Sequence, residues 1–96
     1  MPAVLIECEL FFPFSSSLKQ KRYFLRSFKD KLRVKFNVSI AEIDYFDYWQ
    51  KTKIGIAIVS SDYRKLQDNI QKVLTFIRNY ALKDGIEFLR YDLRYY

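Results

Sequence analysis

A chain of 96 residues, half of them apolar and 19% aromatic, can bury one sizeable core and lies far from the polar composition of disordered chains. It has no histidine and only two glycines, Gly55 and Gly85, which excludes the usual proton shuttle, triad catalysis of the serine type, a glycine-rich phosphate loop and a dinucleotide fingerprint. The formal net charge of +6 directs attention to anionic partners.

Residues 3 to 12, AVLIECELFF, alternate so that Val4, Ile6, Cys8 and Leu10 share one face while Glu7 and Glu9 point to the other, the pattern of a strand with one buried side. Cys8 is the single cysteine, so no internal disulfide can form and a reducing cytoplasm is expected. Its apolar strand makes it a packed thiol rather than a nucleophile. The longest apolar runs, AVLI and ELFFPF, are far shorter than a membrane span, and the N-terminus lacks the pattern of an export signal.

Pro13 ends the strand, and Ser17 to Gln20 form an S-x-x-Q capping box at the start of a helix expected over about Leu18 to Phe36. At about 100° per residue, Leu18, Phe24, Leu25, Phe28, Leu32 and Phe36 fall in one core-facing sector. Lys19, Arg22, Arg26, Lys29 and Arg33 recur at steps of three and four and form a continuous cationic ridge. Lys21 projects toward the apolar sector, with its stem along the core and its ammonium expected to reach past the helix end. This helix holds eight basic residues and one acid, Asp30, and is the source of the whole positive excess. Like charges at these spacings cost about 0.2 to 0.5 kcal/mol per pair, and cations near a helix start oppose its dipole, so local stability does not select the arrangement.

Residues 37 to 47, NVSIAEIDYFD, and residues 52 to 60, TKIGIAIVS, are rich in β-branched and aromatic residues and read as a hairpin linked through Tyr48, Trp49 and Gln50. A second helix starts near Ser61 and Asp62, carries Leu66, Ile70, Val73, Leu74 and Ile77 at helical spacing, and stops at Gly85. IEFLRYDLRYY forms the last strand. The order predicts a single α+β domain over residues 1–96: a ferredoxin-like βαββαβ fold, with a four-stranded antiparallel sheet and two helices on one face.

Two readings of the ridge compete, a solvated helix face and a surface that binds phosphates along the ridge and at the helix N-terminus. Contact with an acidic protein or a membrane surface is a weaker third. The expected nucleic-acid-binding residues are Lys19, Lys21, Arg22, Arg26, Lys29 and Arg33. The aromatic hairpin, Tyr45, Phe46, Tyr48 and Trp49, suits a subunit interface better than base stacking, because the charges beside it are acidic. Glu42 and Asp44, two apart on a strand, and Asp47 beyond them could hold a divalent cation or move a proton. Strand acids more often pair with cations across the sheet, as Glu7 and Glu9 could with Arg90 and Arg94. Acylphosphatases on this fold cradle phosphate in the loop after strand 1, and PFSSSLK occupies that place without their glycines or catalytic arginine. No enzyme activity, catalytic residue, metal or cofactor is expected.

Two segments, SLKQKRYFLRSFKDKLRVKFNVSIAEID at 17 to 44 and DYWQKTKIGIAIVSSD at 47 to 62, resemble the signatures of the YlxP family of small bacterial proteins, a domain of unknown function. The resemblance runs over nearly the full chain, through residues such as Ser17, Lys19, Lys21, Arg22, Asn37, Glu42, Asp47 and Trp49. It implies a ferredoxin-like fold in a bacterial cytoplasm, with genes often set among those for transcription elongation, translation initiation and ribosome maturation. Joined to the cationic helix, it points to a binding module associated with RNA or the ribosome, with a homodimer built on the open sheet face or the aromatic hairpin as the alternative.

Overall fold

The computed structural model describes residues 2–96, in the order β1 (Ala3–Phe11), α1 (Leu18–Lys35), β2 (Ser39–Asp44), β3 (Lys51–Val59), α2 (Tyr63–Asp84) and β4 (Glu87–Tyr95). The strands form one sheet in the order β2-β3-β1-β4, antiparallel at every junction. This is the ferredoxin-like α+β fold. Its two longest pairings place β1 between β3 and β4, so the alternation of β1 decides what lies on each side of the sheet.

On the helix side, Val4, Ile6, Cys8 and Leu10 of β1 meet Ile54, Ile56 and Ile58 of β3, all nearly inaccessible. Leu25, Phe28 and Leu32 of α1 and Leu66, Ile70, Val73, Leu74 and Ile77 of α2 close over them. Spacings of three and four along both helices bring these side chains to one stripe each, which is why the chain folds as two layers. Phe24 and Phe36 sit half-buried at the margin of that core.

The helix ends carry the devices read in the sequence. Ser17 Oγ accepts from the Gln20 amide at 3.1 Å, while Gln20 Oε1 accepts from the Ser16 amide at 2.8 Å. The reciprocal bond of the capping box is thus made one residue earlier than the pattern predicts. Asp62 caps α2 by accepting from the Lys65 amide at 2.9 Å. Gly85 ends that helix with φ 71°, in the left-handed region where an L side chain is strained.

Two register shifts depart from simple alternation. One lies between Glu9 and Leu10 against β4, the other between Glu42 and Asp44 against β3. Before the second shift β2 alternates regularly, so Ile40 is in the core and Ile43, three residues on, lies on the other face over Gly55, where an added Cβ would come within 3.1 Å of its Cγ2. The hairpin link is also longer than Tyr48 to Gln50, since β2 ends at Asp44 and β3 begins at Lys51.

Candidate nucleic-acid interface

Helical spacing carries Lys19, Arg22, Arg26, Lys29 and Arg33 along one side of α1, and all are exposed except the half-buried Lys29. Among the described residues, Lys19, Arg22, Arg26 and Lys29 make no ion pair and no side-chain hydrogen bond. Arg33 differs. Its Nη1 lies 3.8 Å from Asp30 Oδ1, and its Nη2 donates to the Ile40 carbonyl of the edge strand at 3.2 Å. That bond ties the end of the ridge to β2, so the free part of the ridge is four cations long.

Lys21 does not supplement the ridge. Its side chain is fully buried, and its ammonium donates to Glu42 Oε2 at 3.0 Å, the Tyr45 carbonyl at 2.8 Å and the Lys51 carbonyl at 3.2 Å. The Phe46 carbonyl is a longer fourth neighbour at 3.4 Å. The expectation that the ammonium clears the helix end fails because the link between β2 and β3 folds over that end and presents these oxygens. An ammonium has three protons to place, and all three find acceptors here. Thr52 Oγ1 completes the cluster by donating to Glu42 Oε2 at 2.6 Å.

This latch also disposes of the acids. Glu42 faces Ile54 in the ladder and Asp44 faces Lys53, so the register shift puts them on opposite sides of the sheet. Asp44 accepts from the Tyr45 amide at 2.7 Å. Among the described residues, no three histidine, cysteine or acidic side chains converge to hold a metal ion.

The aromatic hairpin divides. Phe46, Tyr48 and Trp49 are each more than half exposed. Tyr45 is turned inward with φ 61°, its ring edge-on to Tyr48 at 5.2 Å and beneath the Lys51 ammonium at 4.3 Å. On the open sheet face, Glu7 pairs with Arg94 at 2.9 Å, and Glu9 pairs with Arg90 at 3.2 Å and Lys51 at 3.5 Å, as the cross-strand reading expects. The Glu7 contact is an ion pair without hydrogen-bond geometry. Two nearly buried carboxylates at the centre of this face make it a poor match for phosphates.

The chain is thus a small ferredoxin-like domain with a row of unpaired cations along one side of α1, while Glu7, Glu9 and Glu42 of the sheet are held in ion pairs. Residues 4–90 match the family described as protein of unknown function, DUF503, and the chain belongs to that family. It is similar to the uncharacterized protein YlxP of Bacillus subtilis (strain 168), with 45% identity over 74 residues that cover 77% of this chain and 80% of the relative. Both partners of the buried ion pair, Lys21 and Glu42, are among the residues through which the sequence resembles the YlxP signatures. A lysine in an apolar helix sector opposite a strand acid is the sequence signal that could have found this tie.

Proposed function

We propose that this protein is a non-enzymatic, cytoplasmic RNA- or ribosome-associated module that holds phosphates along α1. The carrying observation is the row of four unpaired cations at Lys19, Arg22, Arg26 and Lys29. Four cations without carboxylates repel one another, and a polyanion relieves that repulsion while releasing its own counterions. The capped start of α1 lies at one end of the row, with no acid in its first turn, which adds the favourable end of the helix dipole.

The decisive variant is Arg22→Glu combined with Arg26→Glu. Both residues are exposed, so the melting temperature should stay close to that of the parent, while retention of single-stranded RNA in a shift assay should disappear. Unchanged retention overturns the proposal.

A second reading rests on the exposure of Phe46, Tyr48 and Trp49, aromatic residues of the kind enriched at subunit interfaces. It makes the hairpin a contact between two copies of the chain. Light scattering at micromolar concentration then gives twice the chain mass, and Trp49→Ala returns it to one; a single-chain mass for the parent removes this reading.

A further inference from the structure

The opposite flank of α1 carries a feature that phosphate binding does not use. Between the C-terminal half of α1 and α2 runs an open groove of about 1080 Å³, above the size range of most small-molecule pockets. Phe36 meets Phe76 edge-on at 5.7 Å, and Phe76 stacks near Tyr80 at 6.2 Å, which gives the groove an aromatic floor. Val34 stands on its rim, 89% exposed, in a helix where nothing local favours an exposed β-branched side chain.

The walls are basic. Lys31 Nζ lies 5.0 Å from the centre of the Tyr80 ring, and Lys35 Nζ lies 5.2 Å from that of Phe76. Lys83 lines the other side. Among the described residues, none of these three ammonium groups has a carboxylate within 4.0 Å. Two acids also line the groove: Asp30 faces Arg33 at 3.8 Å, and Asp84, unpaired among the described residues at the end of α2, is outnumbered by the lysines.

We propose that this groove docks an amphipathic helix of a partner protein that carries acidic residues beside its apolar stripe. The apolar stripe would rest on Val34, Phe36 and Phe76, and the flanking carboxylates would reach Lys31, Lys35 and Lys83, the helix-in-groove mode of recognition. Charge selects this occupant over a second copy, because α1 and α2 carry thirteen basic and three acidic side chains between them and neither offers an acidic face. Ring geometry selects it over nucleic acid. Stacked bases need open ring faces, and here Lys35 and Lys31 each lie over one face of Phe76 and Tyr80, which leaves less room for a base than for a side chain.

The test is a titration of the full-length, ¹⁵N-labelled protein with a synthetic peptide that places leucines at helical spacing and glutamates on both flanks. A scrambled peptide of the same composition and a uridine decamer serve as separate probes. The expected result is a set of shifts confined to the facing segments of α1 and α2, an affinity lowered about tenfold or more by Val34→Glu and by Lys35→Glu, and no loss in the Arg22→Glu, Arg26→Glu variant. Val34 and Lys35 are both exposed, and thermal melts of each variant confirm the fold. No binding, equal binding of the scrambled peptide, or insensitivity to Val34→Glu overturns the proposal. So does a uridine decamer whose binding is lost with Val34→Glu, which would assign the groove to nucleic acid.

Discussion

Lys21 carries a charge that a protein interior tolerates only when every proton is used. Its ammonium closes a link between α1 and the loop from Tyr45 to Lys51, and the Tyr45 carbonyl also accepts from the Tyr48 amide at 3.1 Å. Removing the lysine leaves the Glu42 carboxylate without its countercharge, held only by the Thr52 hydroxyl, and takes a donor from the Tyr45 and Lys51 carbonyls. Lys21→Met should therefore cost about 3 to 5 kcal/mol, read as a lower midpoint in urea denaturation. That is a large part of the stability of a small domain, so lost RNA binding in this variant would report unfolding rather than a missing phosphate contact. Cys8 makes a second residue-level case. Burial pushes its thiol from an ordinary value of 9.0 up to about 12. Because the folded value is the higher one, the stabilisation is complete below pH 9 and is lost as pH rises from there toward 12, at about 1.4 kcal/mol per pH unit. Between pH 9 and 11 the stability of the parent should fall more steeply than that of Cys8→Ala, in which the other titrating groups are unchanged; equal slopes in denaturant titrations would rule this out.

Among the elements, α1 performs three tasks on three sides. One stripe packs on the sheet, one flank presents the free cations and ends where Arg33 reaches the edge strand, and the other flank forms a wall of the interhelical groove. A helical wheel separates the first two, which is why the core stripe and the ridge were legible in the sequence, as was the pairing of Glu7 and Glu9 with Arg94 and Arg90 from the alternation of β1. The link between β2 and β3 was not, because its path depends on the buried ammonium of Lys21, a contact between residues more than twenty positions apart. Nor was the aromatic floor of the groove, which needs Phe36 from the end of α1 beside Phe76 and Tyr80 from α2. Local geometry was easier to read. Gly85, at φ 71° with nothing within 4 Å of an added Cβ, is there for its backbone and not for space. Gly85→Ala should cost about 1 kcal/mol, a fall of roughly 4 to 8 °C in Tm for a domain of this size; an unchanged Tm would show that the end of α2 relaxes into another conformation.

At the scale of the molecule, charge is divided by layer. The two helices hold thirteen of the seventeen basic residues and three of the eleven acids, a formal +10, and the strands and loops together carry −4. Lys51, Arg90 and Arg94 of the sheet pair with Glu7 and Glu9, which leaves the strands and loops net acidic, whereas the helix side keeps a large positive excess. An approaching polyanion is therefore steered to the helices, and steering weakens with ionic strength. How strongly it weakens depends on how many cations are free to neutralise phosphates. With four such residues, and about −0.7 per neutralised phosphate for a single strand, the log-log dependence of RNA affinity on salt should have a slope near −3. Lys29→Gln should bring the slope closer to zero by about 0.7, and the same change at Lys72, already 3.0 Å from Asp68, should leave it unaltered. Fluorescence anisotropy with a short single-stranded RNA across a salt series measures both. A slope near zero would mean that phosphates do not hold the complex together, and a slope far steeper than −4 would mean that the groove lysines bind the same strand as the ridge.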